Sequence, residues 1–181
     1  MTRSGYVFST VVAAQLTVVL ACFDPAPRLI WNATASAPIG LYAVSPAASP
    51  LVGDMALVMP DARLAHWLAH RHALPLGVPL IKHISATAGQ TVCRSGATIT
   101  IDHRPVARAR TYDRAGRRLP VWSGCRTLGS GEIMLLNPAV GDSLDGRYFG
   151  PLSAKGVIGT VRPMLTRADS GGPFVWHGWT P

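Results

Sequence analysis

Lys82 sits inside PLIKHIS, an apolar stretch where an ammonium group has little access to water. An amine drawn out of water gives up its proton more readily, and a neutral amine is a general base. The choice of residue is narrow. Of 17 cationic side chains 15 are Arg, which stays protonated in proteins, and the two lysines are Lys82 and Lys155. Such a base needs a nucleophile with an accessible hydroxyl. NATASAPIGLY at 32–42 offers Thr34 and Ser36, two positions apart among small neighbours that leave a hydroxyl uncovered. A third segment, GEIMLLNPAVGDSLDGRYFGP at 131–151, runs from an apolar strand into a polar loop with Asp142, Ser143, Asp145 and Arg147. Each segment also has a plainer reading. Ser36 suits a turn in an Ala/Pro loop, Lys82 suits the solvent side of an alternating strand, and the last loop suits a turn with an ion pair.

These side chains need a scaffold, and short runs of Val, Ile, Leu and Thr bounded by Gly and Pro predict strands over 41–44, 55–59, 79–85, 91–94, 98–101, 133–136 and 156–161. One stretch beyond the N-terminus, DARLAHWLAHRH at 61–72, has helical spacing, with Leu64, Trp67 and Leu68 on one face. Residues 24–36 read as a Pro/Ala linker and 168–181 as a Gly/Pro/Trp tail without periodicity, loose or adjacent to a membrane. There are no internal repeats, and the fold class is mainly β.

The chain begins with YVFSTVVAAQLTVVLACF at 6–23, a run free of charge. As a helix rising about 1.5 Å per residue it spans about 27 Å, just enough to cross a bilayer. The expectation is a transmembrane or signal-anchor helix at 6–23 behind a cytoplasmic 1–5, with a cleaved signal peptide or lipidation at Cys22 of VLAC as alternatives. All three export a domain over 24–167 and the tail 168–181. Cys93 and Cys125 are then the one cysteine pair in the exported part, available for a single disulfide in an oxidising compartment or left as two buried thiols. Neither has a second ligand type at metal-binding spacing, so no metal is expected. With 181 residues, 48% of them apolar, the composition excludes a disordered tail or a collagen-like rod. The net charge of +8 suits nucleic acid, an anionic membrane or an acidic partner without choosing among them.

Taken in chain order, the segments resemble the signal peptidase I family of membrane-bound serine/lysine peptidases, and more closely its TraF-type branch that matures conjugative pilins. NATASAPIGLY looks like the nucleophile segment, GDMALV at 53–58 like the strand that follows, and LIKHISATAGQTV at 80–92 like the lysine segment. GDSLDGRYFGPL at 141–152 looks like the final motif and VIGTVRPM at 157–164 like its closing strand. The resemblance covers about 32–163 and implies a signal-peptidase-like β-rich catalytic domain behind one N-terminal transmembrane helix. It implies Ser36 as nucleophile, Lys82 as general base, and Thr34 with the backbone N–H of Ser36 as oxyanion donors. Ser143 would orient the lysine, Asp145 and Arg147 would form a supporting ion pair, and neither a cofactor nor a catalytic histidine is implied. Two departures favour the pilin-maturing branch: the final motif is shortened to G-D-S-L-D-G-R, and Ala37 stands where the general enzyme carries Met.

The implied partners are a pilin-like or signal-peptide-bearing precursor, the lipid bilayer and conjugation or secretion machinery, with no nucleic acid. The implied location is the bacterial inner membrane with the catalytic domain on the periplasmic side. Ser36 follows Phe23 by 13 residues, which keeps it near the outer membrane boundary. Alternatives are a general signal peptidase I and a catalytically idle membrane scaffold.

Other motifs are set aside. DSGGP at 169–173 mimics the nucleophile segment of chymotrypsin-like proteases at Ser170, but 11 residues remain after it and no partner-histidine segment exists. His66, His70 and His72 read as solvated helix residues without a His-Glu-x-x-His pattern. The six arginines of 104–118 would suit nucleic acid, but in an exported protein they are expected to face phospholipid or a partner.

Overall fold

The computed structural model describes residues 3–22, 28–46, 51–168 and 171–178. Phe23, positions 24–27 of the linker, Ser170 and the side chain of Cys22 lie outside the described residues. Each of the seven apolar runs forms a strand: β2 (Ile39–Ser45), β3 (Met55–Val58), β4 (Leu80–Ala86), β5 (Thr91–Ser95), β6 (Thr98–Ile101), β9 (Glu132–Leu136) and β11 (Val157–Arg167). Five more strands carry weaker sequence patterns: β1 (Leu29–Asn32), β7 (Arg104–Arg108), β8 (Gly124–Thr127), β10 (Leu152–Ser153) and β12 (Val175–Trp176). All five are short and lie at sheet margins, where a strand need not bury a continuous apolar face. So part of the expected linker is β1, and part of the expected structureless tail is β12, which pairs with β11.

The larger sheet runs β1-β2-β11-β3-β4-β9-β10 and the smaller β7-β6-β5-β8. Ala86, Val92, Ile99, Ile101, Leu128, Met134 and Leu136 pack together and join them. A second apolar cluster, with Ala37, Tyr42, Leu57, Ile81 and Val161, underlies the Ser36 turn. The helix α2 (Ala62–His70) starts where Asp61 accepts the Leu64 N–H at 2.8 Å and buries Leu64 and Leu68 against Leu74 and Leu80. Gly40 has φ +146°, and a Cβ there would stand 2.1 Å from the Leu165 carbonyl oxygen, so the close approach of β2 to β11 needs glycine.

The helix α1 (Arg3–Cys22) forms where the uncharged run begins, and its described apolar side chains, including Val7, Phe8, Leu16 and Val18, are exposed. Among the described residues no helix is long and apolar enough to cross a membrane. The expected span at 6–23 is therefore met by a helix, and not by a complete apolar crossing within the described residues.

Cys93 and Cys125 are register partners on β5 and β8 and form a disulfide, which settles the alternative of two free thiols. Closing a loop of 32 positions stabilises the fold by about 3–4 kcal/mol through the unfolded chain. Replacing both cysteines by Ser should lower the unfolding free energy from denaturant titration by that amount, and reductant should then no longer affect the variant.

Candidate active site

Strands β1 and β2 form an antiparallel hairpin with Asn32 opposite Gly40, and the turn between them carries Thr34 and Ser36. Buried Asn32 holds this turn from within. Its Nδ2 donates to the carbonyls of Thr34 (2.9 Å), Ala37 (3.0 Å) and Pro38 (2.9 Å), while Oδ1 accepts from Thr34 N (3.1 Å) and Thr34 Oγ1 (2.9 Å). Tyr42 donates its hydroxyl to Pro38 O at 2.7 Å, and burial pushes the phenol up to about 12, so it remains a donor. The Thr34 and Ser36 hydroxyl oxygens lie 3.3 Å apart.

Lys82 lies on β4, between β3 and β9, and is 1% exposed, which excludes the solvent-facing alternative. Burial pushes its amine down to about 8; Asp145 pulls it up, Arg147 pushes it down, and Asp142 pulls it up more weakly. Its Nζ donates to Ser143 Oγ at 2.8 Å, and Ser143 is itself buried. Ser36, Thr34, Lys82 and Ser143 line one cavity of ≈ 370 Å³, whose apolar wall includes Leu68, Leu74, Leu80 and Leu144.

The loop after β9 is pinned by Asp145 and Arg147, 0% and 1% exposed as side chains. Arg147 Nε and Nη2 each donate to Asp145 at 2.8 Å, and Nη2 also donates to Val140 O at 2.7 Å. Asp145 caps the short helix α3 (Gly146–Phe149) through the Arg147 N–H and accepts the Asn137 N–H at 3.0 Å. Gly146 lets α3 lie on β9, since a Cβ would meet Leu135 O at 2.8 Å. This ordering places Ser143 on the lysine.

Part of the basic run folds over the same cavity. Asp113 pairs with Arg71 at 2.8 Å and Arg117 at 2.9 Å, and Arg114 pairs with Asp142, next to Ser143. Arg114 and Arg117 are thus tied to carboxylates at the cavity roof, where the sequence suggested phospholipid or a partner. Arg104, Arg108 and Arg110 are exposed. His66, His70 and His72 are exposed, and among the described residues no cluster of three His, Cys, Asp or Glu could hold a metal. The disulfide lies away from the cavity, in the smaller sheet. Sequence reasoning missed Asn32 and Asn137. The available signals were an Asn opening the small-residue loop and an Asn ending the apolar strand before Pro138.

A hydroxyl and a proton-shedding amine on one cavity, with backbone N–H groups at the turn, can perform acyl transfer. The signal peptidase, peptidase S26 family matches residues 1–165. A probable conjugal transfer protein TraF of Sinorhizobium fredii (strain NBRC 101917 / NGR234) is 32% identical over 146 residues, covering 76% of this chain and 77% of that protein. A plasmid transfer protein TraF of Escherichia coli is 31% identical over 151 residues, covering 75% and 81% respectively. A solved signal peptidase I from Enterococcus faecalis V583 overlaps at TM-score 0.38 with 18% identity, covering 64% of this chain and 98% of that one, too loosely to carry an argument. The family match across most of the chain and two relatives above 30% identity agree with the motifs: the chain belongs to the signal peptidase, peptidase S26 family and is TraF-type.

Proposed function

We propose that this protein is a membrane-anchored serine endopeptidase that removes a signal or pro-peptide from an exported, pilin-like precursor in conjugative transfer. The observation that carries the reading is Lys82: a buried amine with its proton affinity lowered to about 8, held by Ser143 on the cavity that also contains Ser36. Neutral Lys82 takes the Ser36 proton as Oγ attacks the scissile carbonyl, and the resulting ammonium returns it to the leaving amine. Water, activated by the same amine, then releases the acyl group. The oxyanion falls to the Ser36 N–H and Thr34 Oγ1. The Thr34 hydroxyl donates to Asn32 in the free protein, so it must turn toward the oxyanion as charge develops.

Membrane seating is supported by α1, whose Thr10 and Thr17 return their hydroxyls to carbonyls one turn back at 2.7 and 2.8 Å, masking polar groups as an apolar environment requires. Exposed Trp31, Phe174 and Trp176 give an aromatic edge nine residues or more beyond that helix in sequence, the kind of surface that settles at a headgroup boundary. The setting that follows is the bacterial inner membrane, with 24–167 on the outer side. Conjugation enters through relatives named for conjugal and plasmid transfer.

The test is cleavage of a co-expressed pilin precursor in membranes. Ser36→Ala and Lys82→Ala should abolish it, and Ser170→Ala should cut as wild type does. Equal cutting by all variants, or none by wild type, would move the scaffold reading ahead.

A further inference from the structure

Three segments must meet for this chemistry: the Ser36 turn, the lysine strand β4 and the loop after β9. One side chain touches all three. Asn137, 4% exposed, directly follows β9 and reaches across 101 positions of chain to donate Nδ2 to the Ser36 carbonyl. The same Nδ2 lies 3.4 Å from Ile81 O, and Oδ1 accepts the His83 N–H at 3.1 Å, so the amide clasps β4 on both sides of Lys82. Its own backbone is held in turn by Asp145, which accepts its N–H at 3.0 Å, and by Arg147, which donates to its carbonyl at 3.3 Å.

We propose that Asn137 is a positioning residue that fixes the nucleophile turn against the lysine strand. Resting on the Ser36/Lys82 reading, this adds a residue that neither the motifs nor the family match assigns. The chemistry requires an amide: Nδ2 supplies donors to two carbonyls while Oδ1 accepts an N–H, and no carboxylate or aliphatic side chain does both. The other hydrogen bonds of the turn lie within its own hairpin, and the apolar packing of Ala37 with Ile81 and Leu57 is non-directional, so without Asn137 the turn keeps its shape but loses its exact registration on Lys82. A misplacement of about 1 Å costs about 100-fold in rate.

The experiment uses the full chain in detergent and compares Asn137→Ala and Asn137→Asp with wild type, Ser36→Ala and Lys82→Ala. Asn137→Asp keeps the acceptor for His83 N–H and loses the donors, so it serves if the Ala variant fails to fold. The expected result for both is kcat per folded molecule lowered about 100-fold with KM within about 3-fold. The pH-profile midpoint of Asn137→Ala stays put, since the lysine keeps its charged neighbours, whereas the new carboxylate of Asn137→Asp beside Lys82 moves its midpoint to higher pH. Amide hydrogen exchange over 33–38 should accelerate while that of β4 does not, a readout independent of turnover. Wild-type kcat per folded molecule, a loss confined to KM, an Asn137→Ala midpoint displaced to higher pH, or unchanged exchange in the turn would each overturn the proposal. If Ser36→Ala and Lys82→Ala are inactive while Asn137→Ala is not, this inference alone fails. If wild type itself cuts nothing, the peptidase reading fails, and the exchange measurement still decides the tie.

Discussion

Lys82→Met should lower kcat/KM by about 1,000-fold or more and at the same time stabilise the protein at neutral pH. Loss of turnover follows from removing the base. The gain in stability follows from what that base costs the fold. Unfolded, the amine has its ordinary value of 10.5, and folded it falls to about 8 because burial disfavours the charged form. Below about pH 8 both states are protonated, and the folded state carries a buried charge at a cost of about 3 kcal/mol. As pH rises between these two values the folded lysine sheds its proton while the unfolded one keeps it, so wild-type stability increases through that window and then levels. Methionine fills the same space without the charge but leaves the Ser143 hydroxyl without its donor, which takes back about 1 kcal/mol. The variant should therefore exceed wild type by about 1–3 kcal/mol at neutral pH, with the advantage shrinking toward pH 10.5. Denaturant titrations at two pH values check this. Lys82→Arg should be equally inactive, because guanidinium does not release its proton.

Asp145→Ala should be among the most destabilising single changes in the chain, at about 3–5 kcal/mol. It leaves the Arg147 guanidinium buried without its carboxylate, removes the cap of α3 and frees the Asn137 N–H. It also acts on the base. Asp145 raises the proton affinity of Lys82, so the pH profile of whatever enzyme remains folded should shift to lower pH. The double variant Asp145→Ala/Arg147→Met should lose less than the sum of the two single losses, since no uncompensated charge remains. Urea unfolding of the four proteins measures this directly. Additive losses would mean that the pair is not coupled.

The motif residues were legible because each sits in a short, compositionally distinct segment: a lysine in an apolar strand, a serine among small residues, a polar loop after a strand. Apolar runs that bury a face were legible for the same reason, and all seven became strands. What escaped was set by partners far along the chain. Asn32 and Asn137 look like ordinary turn residues until the hairpin and β9 bring carbonyls to them. The roof over the cavity could not be read either, since Arg71 meets Asp113 across 42 positions and the arginine run shows only its charge. Edge strands β1, β8 and β12 lacked a pattern because they bury little. Ala37, read as a mark of the branch, also packs under the nucleophile turn with Tyr42 and Ile81.

Lys82 as general base requires that its amine release its proton near pH 8, well below an ordinary lysine, and the sequence offers an unusually clean way to ask. With Lys82 and Lys155 as the only lysines, protein labelled with 13C at lysine Cε gives two side-chain signals, and Lys82→Met assigns them. Followed in detergent from about pH 6 to pH 10, the Lys82 signal should titrate with a midpoint of about 8 and move independently of the exposed Lys155. A Lys82 signal that stays at its charged position through about pH 9 would contradict a lysine general base and with it the proposed peptidase mechanism.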